Sequence, residues 1–197
     1  MTFKVQDYYF KKAKKENYLA RSVYKLEEID KKFKILKKDN LVLDLGYYPG
    51  SWTQYTSKRV GVRGHVVAVD IQDINKSLSN LLNIQVFQKD VFEIRDIKDL
   101  NLATKVDVLL SDMAPNTTGI KSVDQARSLD LVVKIFEIMP TFLKKGGNTV
   151  VKIFEGPDAQ TFLKSQKHLF QKMEYLRPKS TRSVSKEFFV IGIGLKA

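Results

Sequence analysis

Four stretches of the chain carry residues whose types and spacing could do chemistry. The first is Asp44-Leu45-Gly46-Tyr47-Tyr48-Pro49-Gly50-Ser51-Trp52, a glycine-bearing turn between an apolar run and a segment that can be helical. Gly46 and Gly50 would let the backbone bend tightly and approach a ligand with no Cβ in the way. The next apolar run ends in Asp70, about twenty residues beyond that loop, where an acid can accept hydrogen bonds from ribose hydroxyls. Asp90 follows the third run, placed to hold an adenine edge, and Asp112 closes the fourth, inside SDMAPN. A glycine turn or a single strand-end carboxylate is ordinary structure. Three carboxylates at successive strand ends behind such a loop favour an adenosine-bearing cofactor. The G-x-x-x-G spacing lacks the third glycine of a dinucleotide fingerprint, which favours S-adenosylmethionine over a nicotinamide.

Other chemistries are poorly served. The chain has no cysteine, so disulfides and thiolate metal sites are absent, and with only His65 and His168 as imidazoles no metal site is expected. Lys152 stands between Val151 and Ile153 in an apolar run, where a charge has no structural role. A lone strand lysine is usually an edge or surface residue, so by itself it decides nothing.

The elements that must position these residues alternate. LVLDL (41–45), VVAVD (66–70), IQVF (84–87), VDVLLSD (106–112), NTVVKIF (148–154) and EFFVIGIGL (187–195) read as strands. Near-continuous apolar strands separated by crossover lengths predict a parallel sheet covered on both faces. Leu19, Val23, Leu26, Ile29 and Phe33 predict a helix over residues 17–36. Ser122 with Gln125 predicts a capping box, followed by a buried stripe of Ala126, Leu129, Val133, Phe136 and Met139 and closed by the Lys144–Gly147 stretch. Pro157 fits the first turn of a further helix, with the stripe Phe162, Leu163, Leu169 and Phe170.

The net charge of +12 points to a polyanionic partner, nucleic acid being the commonest. Residues 1–38 hold twelve lysines and arginines against five acids, a net of +7. Tyr8, Tyr9, Phe10, Tyr18 and Tyr24 interleave with them, some free to stack on bases and others core residues. A solubilising lysine surface is the bland alternative. No secretory signal or membrane-spanning run is visible, so the cytoplasm is the default compartment, with nucleus or organelle as alternatives, and no membrane partner is expected.

LDLGYYPGSW, SDMAPN with Thr118-Gly119 and Asp124 after it, VKIF and the terminal RSVSKEFF follow the order of the FtsJ/RrmJ family of ribose 2′-O-methyltransferases. The chain resembles that family from RSVYKL (21–26) to Phe189. The resemblance implies a Rossmann-like class I methyltransferase fold: a mostly parallel seven-stranded sheet, helices on both faces and an antiparallel last strand. It implies one domain over 1–197, with the basic helical segment 1–38 packed on it as part of an RNA-binding face. It places a catalytic tetrad on Lys25, Asp112, Lys152 and Glu187, and S-adenosyl-L-methionine contacts on Gly46, Gly50, Trp52, Asp70, Asp90 and Asp112. A ribose hydroxyl is a poor nucleophile and needs a positioned base. With no histidine or cysteine at hand, a lysine kept neutral by burial, a nearby sulfonium and a second lysine can serve.

Met113 in SDMAPN resembles the branch acting on a uridine of large-subunit ribosomal RNA, so the expected partner is ribosomal RNA or a pre-ribosomal particle, with tRNA the alternative and a monomer the expected state. One departure stands out. Where the family commonly has two small residues, this chain has Tyr47-Tyr48, which could crowd the pocket for the methionine moiety. The rival from another class is a catalytically silent RNA-binding ribosome-assembly factor of the same fold.

Overall fold

The computed structural model describes residues 4–196. Two helices, α1 (Lys4–Lys15) and α2 (Val23–Phe33), precede β1 (Leu41–Leu45), α3 (Ser51–Val60), β2 (His65–Asp70), β3 (Ile84–Gln88) and β4 (Val106–Ser111). Then come α4 (Lys121–Phe142), β5 (Leu143–Phe154), α5 (Pro157–Gln166), β6 (Phe170–Leu176) and β7 (Glu187–Leu195). The strands form one sheet in the order β3-β2-β1-β4-β5-β7-β6. β1 to β5 are mutually parallel, and β7 runs antiparallel between β5 and β6. This meets the expected mostly parallel seven-stranded architecture.

The near-continuous apolar strands follow from burial on both faces. Along β1, Val42 joins one core with Leu26, Ile29, Trp52 and Tyr55 of α2 and α3. Leu43 turns the other way, into the core built with Val132, Phe136, Met139 and Phe142 of α4. The chain leaves β1 in one direction for β2 and β3 and returns on the other side as β4, so the strand order reverses at β1/β4. Register sets Leu45 against both Val69 and Ser111, and Asp70 against Gln88. The loops after four strands therefore open at one level, beside the reversal, where open α/β sheets bind ligands.

Several sequence expectations shift. The helix predicted over 17–36 spans only Val23–Phe33. Asn17 is left-handed, the Leu19 N–H is taken by Gln54 Oε1 at 2.9 Å, and left-handed Lys34 ends α2. Tertiary hydrogen bonds win there over helical periodicity. In α4 the Ser122–Gln125 capping box does not form: Ile120 is the cap, Gln125 donates to the Glu155 carbonyl, and Asp124 accepts from Thr118 and Gly119 instead. The helix is rotated accordingly. Asp124, Ser128, Val132, Phe136 and Met139 are buried, whereas Ala126 is exposed and Val133 half-buried. Lys144–Gly147 is not the helix's close but a bulge within β5, opposite Val106 and Val108. The stripe expected to reach Phe170 stops with α5 at Gln166, and Phe170 opens β6. β6 is an edge strand whose sequence, Phe-Gln-Lys-Met-Glu-Tyr-Leu, lacks β-branched residues, so only its two aromatics favour a strand.

The carboxylate of Asp30 fixes α2 to the sheet layer. It is buried and accepts from the Leu36 N–H at 2.9 Å, from Tyr55 Oη at 3.0 Å and from Arg59 Nε at 2.9 Å. Three partners make that buried charge tolerable and tie α2 to α3.

Candidate active site

A cavity of about 670 Å³ opens beyond the carboxyl ends of β1 to β4. Gly46, Asp70, Asp90 and Asp112 all line it, with Val69, Phe92 and Met113 as apolar wall. Asp70 is fixed by its own loops: Oδ2 accepts from the Tyr48 N–H at 3.0 Å and Oδ1 from the Gln72 N–H at 2.9 Å. Asp90 caps a short 3-10 turn, Oδ1 accepting from the Phe92 N–H at 3.0 Å, with the rest of the side chain exposed. Gly46 is left-handed, and a Cβ on it would lie 2.9 Å from the Met113 Cα and run into its side chain. The glycine is thus required where the loop after β1 meets the SDMAPN loop after β4.

Gly50 and Trp52 do not line this cavity. Gly50 is left-handed at the start of α3, and a Cβ there would meet Leu78 at 2.7 Å. Trp52 is buried, its indole N–H donating to the Ser22 carbonyl at 2.9 Å and its ring 5.7 Å from Phe189. With the Ser22–Ser51 hydroxyl contact at 2.9 Å, this holds the start of α2 against α3.

The tyrosine departure resolves into two different placements. Tyr47 turns away from the cavity into a small core with Ala68 and Leu78, its hydroxyl accepting from the Asn75 N–H at 3.1 Å. Burial pushes its phenol above the ordinary tyrosine range. Tyr48 is exposed and lines the cavity.

Deeper in, the four residues of the implied tetrad form two acid–lysine pairs. Lys152 Nζ lies 2.9 Å from Asp112 Oδ1, an ion pair poorly angled for a hydrogen bond. The hydrogen bond itself goes to the Asp112 carbonyl oxygen. Lys25 on α2 pairs with Glu187 at the start of β7. Lys152 stands opposite Phe189 in the β5–β7 ladder, and the Lys25 ammonium lies 5.8 Å from the Phe189 ring. Both pairs are mostly buried, with Lys152 and Glu187 each 8% exposed. Asp112 belongs to both the cavity and the tetrad.

Sequence reasoning passes over Asp44. It is fully buried at the end of β1, Oδ2 accepting from Thr53 Oγ1 at 2.7 Å. Burial raises its carboxyl to about 7, opposed by the Thr53 hydrogen bond and reinforced by the charges of Asp112 and Asp70. The available signal is the same as at Lys152: an ionisable residue inside an apolar strand. The cavity residues Phe92, Arg127 and Asp130 carry no comparable mark. Among the described residues no group of three or more His, Cys, Asp or Glu side chains could hold a metal ion.

The fold has solved counterparts. A ribosomal RNA methyltransferase from Plasmodium falciparum, described as putative, superposes with a TM-score of 0.78 at 27% identity, over 90% of this chain and 98% of its own. Aeropyrum pernix fibrillarin, solved with S-adenosyl-L-methionine natively bound, shares the fold with a TM-score of 0.60 at 16% identity, over 81% of this chain and 68% of its own. The sheet order and the acid-lined cavity at its carboxyl edge define a Rossmann-like methyltransferase. The FtsJ-like methyltransferase family model matches residues 18–195. The "Ribosomal RNA large subunit methyltransferase E" of Bdellovibrio bacteriovorus is 45% identical over all of both chains. Its namesake in Oleidesulfovibrio alaskensis is 47% identical over 98% of this chain and 93% of that one. The chain belongs to the FtsJ-like methyltransferase family.

Asp44 gives the site a measurable pH signature. Its folded-state value is raised, so between its ordinary value of 3.8 and about 7 the folded chain holds a proton that the unfolded chain has released. Stability therefore falls as pH rises through that window and levels off above it. Asp44→Asn removes this component. Urea midpoints should show wild type losing about 2–3 kcal/mol more than the variant between pH 5 and pH 8. Parallel losses in the two proteins would mean that Asp44 is charged throughout.

Proposed function

We propose that this enzyme transfers the methyl group of S-adenosyl-L-methionine to the 2′-hydroxyl of a uridine ribose in large-subunit ribosomal RNA, within a ribosomal particle. The observation that carries the reading is Asp112, which lines the adenosine-sized cavity and pairs with Lys152. The residues present fit the cofactor. Asp70 and Asp90 offer carboxylate oxygens to a nucleoside, and glycine at 46 leaves the loop free of a side chain. When bound, the cofactor supplies an electrophilic methyl on a cationic sulfur. The relatives' names support the substrate, and the resemblance drawn from Met113 points the same way.

Lys152 is the base in this reading. Its partner Asp112 presents both a carboxylate and a carbonyl oxygen, so the amine is held from one side and its lone pair can face the ribose. Lys25 against Glu187 and Lys152 against Asp112 make the tetrad neutral overall. Lys152 would accept the 2′-hydroxyl proton, and Lys25 and Glu187 would hold the ribose in line with the methyl that the bound cofactor would supply. A silent assembly factor would not need both buried lysines matched with acids.

The segment 1–38 forms part of the RNA face in the same reading. α1 presents exposed Tyr8 and Phe10 beside Lys11, Lys14 and Lys15, while Tyr9, Tyr18 and Tyr24 cluster together, with Tyr24 buried in the core.

Asp90→Ala and Asp70→Ala should each weaken cofactor binding by about 1.5–3 kcal/mol, measured by calorimetry on folded protein. Asp90 is the cleaner probe, because Asp70 also fixes the Tyr48 N–H. Wild-type affinity in both variants would remove the cofactor assignment.

Lys152→Ala should slow single-turnover methylation of undermethylated large subunits on the order of 10²–10⁴-fold with cofactor affinity near normal. Lys152→Arg should be almost as slow, since a guanidinium does not deprotonate. An active arginine variant would leave Lys152 a positioning role only, and labelling of tRNA with none of ribosomal RNA would overturn the substrate.

A further inference from the structure

A second cavity, of about 470 Å³, opens on the α5 side of the sheet. Its lining residue Leu163 and its neighbour Phe188 pack with the α4–α5 core, on the opposite face from α2 and Lys25. Yet the cavity reaches Glu187, the residue that Lys25 pairs with, so it begins where the tetrad ends. Its wall carries two aromatic rings, Tyr175 and Phe188, 6.1 Å apart and tilted by 58°. Tyr175 is 40% exposed, a large ring left open on an edge strand.

Around those rings stand Lys164 of α5, Lys167 just after it, Lys186 beside Glu187, and Arg177. The three lysines make no ion pair among the described residues. Arg177 donates to the carbonyls of Ser185 at 2.6 Å and Ser183 at 3.2 Å, fixing the loop that carries Lys186. Of the two acids on the wall, Glu187 is already neutralised by Lys25, which leaves Glu155 against four cations. Cations ringing open aromatic faces are the chemistry of single-stranded nucleic acid, phosphates on the rim and bases stacked on rings.

We propose that this cavity is a nucleotide subsite for the RNA strand flanking the methylated residue, with a neighbouring base stacked on Tyr175 and its phosphate among Lys164, Lys167 and Lys186. The proposal rests on the RNA reading above. It adds to it a second point of hold: the strand passes over the start of β7, so that the target ribose meets the tetrad on one side and its neighbour is gripped on the other. An acidic peptide would use the cations but leave the rings idle.

The test is a fluorescent reporter in the full-length protein. Trp52 is the chain's single tryptophan and is buried, so Tyr175→Trp adds a second, exposed emitter whose signal is read against wild type. Oligouridylate of about six nucleotides should quench the introduced indole saturably. Adding Lys164→Glu and Lys167→Glu should weaken that quenching at least about tenfold. In otherwise wild-type protein the same pair should raise KM for ribosomal particles by a similar factor, leave kcat and cofactor affinity unchanged, and reduce the salt slope by up to about two. An unquenched reporter at oligouridylate concentrations that compete with particle methylation overturns the subsite. So does equal quenching by polyglutamate, or an unchanged KM in the double variant. Wild-type protein that methylates no RNA would defeat the parent reading instead, and the introduced indole would still report whether the cavity takes a nucleotide.

Discussion

A primary amine in the interior of a sheet is the constraint from which the rest of this molecule follows. Lys152 lies in β5 between Val151 and Ile153, both fully buried, and an unpaired ammonium there would cost several kcal/mol. Asp112 is what makes it tolerable, and Asp112 can reach it only because β4 and β5 run parallel with Ser111 level with Val151. That register ends β4 one residue before the carboxylate. The loop that follows must then turn sharply over β1, and Gly46 is the residue that lets it do so. One ion pair thus dictates a strand register, a loop path and a glycine.

The second lysine imposes a similar demand from the other side. Lys25 comes from outside the sheet, on a helix of eleven residues. Its placement against Glu187 depends on what holds α2 down: the Asp30 hub with Tyr55 and Arg59, the Trp52 indole on the Ser22 carbonyl, and Arg21 on the Ser180 carbonyl at 2.7 Å. Trp52 matters here although it is not on the cavity wall. Filling the space between α2 and Phe189, it sets the distance at which Lys25 can meet β7.

What can be read in the sequence and what cannot divides along physical lines. β1 and β7 are legible to the residue, because strands buried on both faces leave apolar runs with sharp ends. β6 is not, since an edge strand with exposed Gln171, Lys172 and Tyr175 has no such signature and merges with the stripe of α5. Helix faces are misread wherever a polar residue is buried for a tertiary reason. In α4, Asp124 and Ser128 face inward because Asp124 ties down the Thr118–Gly119 turn and the Ser128 hydroxyl accepts from the Phe154 N–H at 3.0 Å. Hydrophobic periodicity cannot see such contacts. The candidate site is legible where chemistry conflicts with environment, as at Lys152, and illegible where it does not, as at Phe92 or Arg127.

Asp44 shows how closely charge is balanced around the cavity. Asp70, Asp90 and Asp112 already line it, and Asp44 lies beneath, close enough to Asp70 and Asp112 that their charges help keep it protonated near neutrality. A chain of net charge +12 thus places Asp70, Asp90, Asp112 and Asp130 on the wall of the cavity that receives a cationic cofactor. Lys89 and Arg127 also stand on that wall, while α1 and the rim beside Glu187 carry further lysines outside it. The two acid–lysine pairs adjoin this cavity through Asp112, which lines it and pairs with Lys152. In the proposed reading the uncharged ribose hydroxyl meets Lys152 at that junction, beside the acids rather than among them.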